Sequence, residues 1–266
     1  MRTETIMPRF SRYIGIDYSG AKTADNSCSG LRVFMSEGSD EPAQVQPPPS
    51  PRRYWTRRGL AEWLYDMLGD DTPTIVGIDH AFSFPLAYFE KYRLSSNWQD
   101  FLVDFQHHWP TDEPDTYIDF IRQGQLGHGH KRNGDARWLR VTEAWTATAK
   151  SVFLFDVQGS VAKSTFAGLP WLLYLRKHCK RPVHFWPFDD WEIPDGKSVV
   201  AEVYPALWMR RFPRDERDSD EQAAYAAASW LQRVDRDGAL SGFLRPSLSA
   251  EEREVAKFEG WILGVV

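Results

Sequence analysis

The sequence predicts an α/β protein, a mixed sheet flanked by helices, with a largely helical or irregular insertion at about residues 86–150. Three observations predict it. Two short apolar runs of one design, Tyr13-Ile14-Gly15-Ile16-Asp17 and Ile75-Val76-Gly77-Ile78-Asp79, each end in an acid and read as buried strands followed by turns. Segments with apolar residues at helical spacing alternate with such runs, which is the rhythm of an α/β layer structure. Finally, 42% of the 266 residues are hydrophobic, with 12 Trp, 16 Phe and 10 Tyr, so most of the length can bury a core.

The elements follow in order. The strand at residues 13–17 leads into the turn Tyr18-Ser19-Gly20, and a second apolar stretch at 31–35 suits an antiparallel neighbour. Residues 41–51, containing Pro47-Pro48-Pro49, form a loop. Between 56 and 68, Leu60, Trp63, Leu64 and Leu68 fall at helical spacing, with Thr56 as N-cap and Gly69 as stop. The second strand-plus-Asp motif at 75–79 comes next, and Pro85 ends its loop. Residues 86–150, rich in Trp, His, Gln and charge and dotted with Gly124, Gly127, Gly129 and Gly134, break the rhythm and read as an insertion, partly helical and partly mobile. Regularity returns with the apolar segment 151–157, a helix around 169–178, strands at 183–186 and 198–204, and a helix from Ser219 to about Gln232. Ser219 and Gln222 stand at capping-box spacing there. The whole is read as a single domain carrying one insertion.

Charge and cysteine content bound the function. A net charge of -5 argues against a protein that coats nucleic acid by charge alone, although local basic patches remain. Cys28 and Cys179 match neither a disulfide framework nor a C-x-x-C pair, which points to a reducing cytoplasm. Residues 1–12 hold no apolar run and no stretch of about 18 apolar residues occurs, so neither a signal peptide nor a membrane span is expected. A G-x-x-x-x-G-K-[ST] loop and a G-x-S-x-G elbow are both missing, which disfavours P-loop and α/β-hydrolase chemistry.

Three apolar runs present a carboxylate at or near a strand end: Asp17, Asp79, and Glu202 within Val199-Val200-Ala201-Glu202-Val203-Tyr204. Parallel neighbours gather such ends along one sheet edge, where α/β proteins place their sites. Carboxylates brought within about 4 to 6 Å repel one another unless a cation intervenes. Hard oxygen ligands without a nearby Cys or His pair favour Mg²⁺ or Mn²⁺ over Zn²⁺. Simpler readings stand beside this one: an Asp closing a strand can be a turn former, and Glu202 can sit in a salt bridge to an arginine.

At these motifs the chain resembles the predicted nucleases of the ribonuclease H-like superfamily known as the domain of unknown function 429 family (DUF429). The matching strings are residues 13–17, Gly77-Ile-Asp-His-Ala-Phe-Ser-Phe-Pro85, Lys150-Ser-Val-Phe153 with Gln158-Gly-Ser-Val161, Gly168-Leu-Pro170, His184-Phe-Trp-Pro-Phe188, Val200-Ala-Glu-Val-Tyr-Pro205 and Glu259-Gly-Trp-Ile262. They run in order over nearly the whole chain. The resemblance implies a ribonuclease H-like fold and a two-metal phosphodiester hydrolase acting on nucleic acid, with Asp17 bridging the metals and Asp79 and Glu202 completing the shell. The acid expected on the carboxyl-terminal helix is replaced by Ala223, and Asp220, one turn earlier, is the candidate for that role. As a first-turn acid it equally favours the helix dipole.

Further candidates surround these acids. Ser19 and Gly20 shape the turn after Asp17, His80 could carry a proton, and Lys150 could contact the scissile phosphate or form an ion pair. Basic clusters occur at Arg52, Arg53, Arg57 and Arg58, at Lys131, Arg132, Arg137 and Arg140, and at Arg176, Lys177, Lys180 and Arg181. The second, beside Trp138 and Trp145, could track a phosphate backbone. His107-His108 and His128 with His130 lack a third ligand at metal spacing and read as loop residues. Two other functions compete. An actin-like or sugar-kinase-like phosphotransferase or ATPase would share the core, but no second glycine-rich loop for adenosine is visible. A nucleic-acid-binding module that has lost turnover would explain Ala223.

Overall fold

The computed structural model describes residues 7–48 and 53–266. Its elements run β1 (Arg12–Asp17), β2 (Arg32–Glu37), β3 (Ala43–Gln44), α1 (Arg57–Gly69), β4 (Thr74–Asp79), α2 (Leu86–Tyr92), α3 (Trp98–His108), α4 (Ile118–Arg122), α5 (Val141–Ala144), α6 (Ala162–His178), β5 (His184–Trp186), β6 (Val199–Glu202), α7 (Ser219–Arg236), α8 (Leu240–Phe243) and α9 (Ala250–Glu259). The sheet order is β3-β2-β1-β4-β6-β5. β2 is antiparallel to β1 and β3, whereas β1, β4, β6 and β5 run parallel. The molecule is an α/β protein with a mixed sheet flanked by helices.

The central strands are covered on both faces, which is why they read as continuous apolar runs rather than alternating ones. Side chains still alternate between two cores. Ile14, Ile16, Val76, Ile78 and Val200 face a layer built from α1, α3 and α6. Tyr13, Ile75, Val199 and Ala201 face α7, whose Ala224, Ala227, Ala228 and Leu231 lie in the same core. Small residues let the helix backbone come close. A Cβ on Gly15 would overlap the Ala224 carbonyl oxygen and the Ala228 nitrogen, and one on Gly77 would stand 2.8 Å from Val203 Cγ1 and 3.0 Å from Leu231 Cδ1.

Residues 86–150 are helical and irregular in alternation, and they share the main core. Phe84 packs against Tyr88, Phe101 and Phe105 from this region at centroid distances of 4.8, 5.1 and 5.6 Å, and against Phe153 and Phe166 at 4.8 and 5.1 Å. The same rings explain a correction. Residues 151–157 form turns rather than a regular element; Val152 and Phe153 are apolar because they fill this aromatic cluster.

Other boundaries move for local reasons. Helix α6 begins at Ala162 and continues through Pro170 instead of starting at Leu169. Two-residue β3 lies inside the stretch read as a loop, of which residues 49–51 are outside the described residues. At α7 the N-cap is Asp218, whose carboxylate accepts from the Asp220 and Glu221 N–H groups, while the Glu221 carboxylate accepts from Asp218 N–H. Two capping-box spacings overlap one residue apart, and the acid pair holds the helix end. Thr56 caps α1 as expected, accepting from Gly59 N–H at 3.0 Å.

Candidate functional site

Register brings two of the predicted acids together. Asp17 pairs with Asp79 across parallel strands β1 and β4. Parallel neighbours in register lie about 5 Å apart and project to the same face, so the two carboxylates stand side by side at the carboxyl edge of the sheet. Counting back by twos through Gly15 and Gly77, that face is the one covered by α7. Neither carboxylate takes part in a hydrogen bond or ion pair among the described residues.

Burial and mutual repulsion act on the pair in the same direction. The Asp17 carboxyl is pushed well above the ordinary carboxylate range, first by loss of solvent, then by the charges of Asp79 and Asp220, with Arg32 opposing. Asp79 is raised too, first by loss of solvent and then by Glu202. Arg32 is only a partial counterion because it serves Asp218 at 3.0 Å and Glu221 at 3.5 Å.

Asp220 joins the pair from the first turn of α7. A Cβ added to Gly30 would lie 3.3 Å from Asp220 Oδ2 and 3.5 Å from Ser19 Oγ, so the bare glycine gives the Asp220 carboxylate and the Ser19 hydroxyl room on the loop after β1. Ser19 and Asp220 therefore lie near one another beside Gly30, and the Asp220 charge acts on Asp17. Ala223, where the family resemblance expects an acid, is buried within the helix.

Glu202 does not join them. It pairs with Ile78, not with Asp79, and therefore points to the opposite face of the sheet; a shift of one residue in register reverses side-chain direction. On that face Arg140 grips it through two hydrogen bonds of 2.6 and 2.8 Å, and Phe82 N–H donates to it at 3.1 Å. Where the sequence expects Glu202 to complete a metal shell with Asp17 and Asp79, the structure instead holds its carboxylate in a buried ion pair on the other face.

Arg140 is corrected with it. Only 1% of this residue is exposed, and its Nε also donates to Glu143 at 2.9 Å, so it is a buried structural cation and not a phosphate contact on the surface. Arg137, three residues earlier, is exposed and bound to Asp135 at 2.7 Å. His80 is buried with Nδ1 2.8 Å from the Ala81 carbonyl oxygen, and a Cβ on Gly168 would overlap its Nε2. Burial pushes its pKa down to about 4, so the ring is neutral, with a single N–H, at physiological pH. Lys150 lies in the cleft that Asp79, Glu202 and Tyr204 also line, and its Nζ donates to the Gln158 carbonyl at 2.6 Å.

Comparison with protein-family models, with curated proteins and with solved structures finds no match to this chain. Among the described residues no group of three or more His, Cys, Asp or Glu side chains is arranged to hold a metal ion. The Asp17–Asp79 pair is thus a two-carboxylate site with a third acid close by. The loop reading of the histidines is corrected for His107 and His108, which close helix α3; His108 is bound to the Asp104 carbonyl and to Arg132. No helix among the described residues is long and apolar enough to cross a membrane.

Sequence reasoning missed Arg32 and Asp218, which frame the acids, and the pairing of Arg140 with Glu202. The box Asp218-Ser219-Asp220-Glu221 carried a usable signal for the first. Nothing local signals a bond spanning 62 positions.

Proposed function

We propose that the chain is a divalent-cation-dependent phosphodiester hydrolase acting on nucleic acid, built on the ribonuclease H-like plan that its motifs share with the domain of unknown function 429 family. The supporting observation is the unpartnered, in-register pair Asp17 and Asp79 at the carboxyl edge of adjacent parallel strands. Two repelling carboxylates with no protein cation in contact are what Mg²⁺ or Mn²⁺ compensates, and Mg²⁺ characteristically takes one or two carboxylates, water and substrate phosphate. The donor set fits the ion. When bound, the ion supplies a Lewis acid for the phosphoryl group.

The chain's own residues then divide the work. Asp17 and Asp79 would hold the ion, Asp220 and Ser19 would stand near it at the start of α7 and on the β1 loop, and Lys150 lines the cleft with Asp79. With Glu202 taken by Arg140, Asp17 and Asp79 would hold one cation, and a second would depend on Asp220 and the substrate phosphate. The two buried or half-buried free thiols suit a reducing cytoplasm.

The test is cleavage of labelled single-stranded, double-stranded and hybrid substrates in Mn²⁺, alongside calorimetric Mn²⁺ titration. Wild type should cut and bind the ion, and Asp17→Asn should do neither. Equal cutting by the variant would assign the activity to a contaminant. Retention of nucleic acid without turnover in any metal would instead support a binding module, a reading favoured by the captive Glu202 and by Ala223.

A further inference from the structure

The chain between β6 and α7 starts and finishes beside the proposed cation site. Tyr204 shares the cleft with Asp79, and Asp218 caps α7 two residues before Asp220. In between, the segment is fastened to α7. Trp208 stacks on Trp230 with ring centroids 4.0 Å apart, Phe212 is buried, and the Gln222 amide donates to the Met209 and Phe212 carbonyls at 3.3 and 3.1 Å. Interleaved with these anchors are Arg210, Arg211 and Arg214, all exposed. None of the three forms an ion pair among the described residues, and Arg214 Nε donates to the Arg217 carbonyl at 2.9 Å.

Several other surface arginines are paired with acids: half-buried Arg122 with Asp156, and exposed Arg137 with Asp135, Arg181 with Asp71 and Arg245 with Glu192. Exposed Arg53, Arg93, Arg233 and Arg236 form no ion pair among the described residues but do not flank the proposed cation site as one segment. Asp215 and Glu216 follow directly, but Asp215 is taken by Arg217, and neither acid forms an ion pair with Arg210, Arg211 or Arg214, which fall within five positions of one another in the sequence. Arginine forks match phosphate geometry, and a segment already fixed by buried aromatics loses little further freedom on binding.

We propose that residues 205–217 form a track for a nucleic-acid backbone, with Arg210, Arg211 and Arg214 taking phosphates of the strand presented to Asp17 and Asp79. This rests on the hydrolase reading above. The track is sequence-independent, because phosphate contacts position a strand without reading its bases.

The experiment measures fluorescence polarisation of labelled single-stranded DNA and of RNA of the same sequence, in EDTA, across a salt series. The variant Arg210→Gln/Arg211→Gln/Arg214→Gln should bind about tenfold or more weakly and reduce the log–log salt slope by about 2 to 3. A control of equal charge change, Arg122→Gln/Arg181→Gln/Arg245→Gln, should stay within about twofold of wild type, since scattered surface charges are screened. Melting curves verify that both variants are folded. Unchanged affinity and slope in the first variant overturn the track, as does an equal loss in the control, or arginine-dependent binding of poly-glutamate with none of nucleic acid. The two readings fail separately. If Asp17→Asn keeps full DNA affinity while losing Mn²⁺ binding and cutting, the track is judged by the arginine variant alone. If the arginines govern binding but Asp17→Asn changes neither Mn²⁺ binding nor cutting, the hydrolase reading falls and the track stands.

Discussion

Arg140 is the residue on which three separate parts of the chain meet. It binds the Glu202 carboxylate from β6, the Glu143 carboxylate from α5, and the Glu259 carbonyl at the end of α9 at 3.2 Å. The Glu259 carboxylate in turn accepts from Val141 N–H at 2.7 Å and from Leu86 N–H. Removing one member of a buried ionic network leaves the others uncompensated, which costs about 3–5 kcal/mol, whereas removing opposite charges together costs less. Arg140→Met should therefore lower stability in urea by about that amount, and Arg140→Met/Glu202→Met should recover part of the loss. A mild effect of the single variant would show that water reaches Glu202. The same substitutions separate structure from chemistry: Glu202→Gln should reduce stability while leaving Mn²⁺ affinity nearly unchanged, and loss of Mn²⁺ binding in a folded Glu202→Gln variant would return Glu202 to the cation site.

Elements were legible where period and termini agreed, and less so where tertiary contacts decided. Strands β1 and β4 announce themselves because both faces are covered, so Ile, Val and Gly run without polar interruption until the terminal Asp. The direction of Glu202 was hidden, since Val199-Val200-Ala201-Glu202 also lacks polar interruption and its register against β4 is fixed only in three dimensions. Residues 151–157 misled because aromatic filling of a core and a buried strand have the same composition. The glycines of β1 and β4 carry a message that the pattern alone did not reveal: they are the floor on which α7 rests. Gly15→Ala collides with helix backbone, whereas Gly77→Ala meets only the Val203 and Leu231 side chains, which can shift. We expect Gly15→Ala to cost more than about 3 kcal/mol or prevent folding, and Gly77→Ala to cost about 1–3 kcal/mol, as overpacking does. Equal melting temperatures for the two would mean that α7 does not press on β1 at Gly15. Because α7 also carries Asp220, a folded Gly15→Ala protein should have weakened Mn²⁺ binding without any change at an acid.

At the scale of the whole molecule, the two central acids make stability depend on pH and on cations together. Both folded-state pKa values lie above those of the unfolded chain, raised mainly by burial. At these two sites the folded protein accordingly holds more protons than the unfolded one once pH exceeds about 4, and their contribution to stability declines as pH rises through the folded values. A cation that binds only the folded state opposes this decline, adding about 2.7 kcal/mol when its concentration is a hundred times its dissociation constant. Melting temperatures from roughly pH 4.5 to 8 should then separate the contributions. In EDTA, Asp79→Asn should gain on wild type as pH increases, because it removes one repelling charge. In excess Mn²⁺ the order should reverse near neutrality, with wild type protected and the variant scarcely shifted. The sign matters, because a carboxylate held by an arginine would show the opposite slope, losing stability on acidification. Parallel curves for wild type and variant in EDTA, with the same Mn²⁺ increment in both, would mean that Asp79 is already solvated or paired, and the electrostatic case for a cation between Asp17 and Asp79 would be lost.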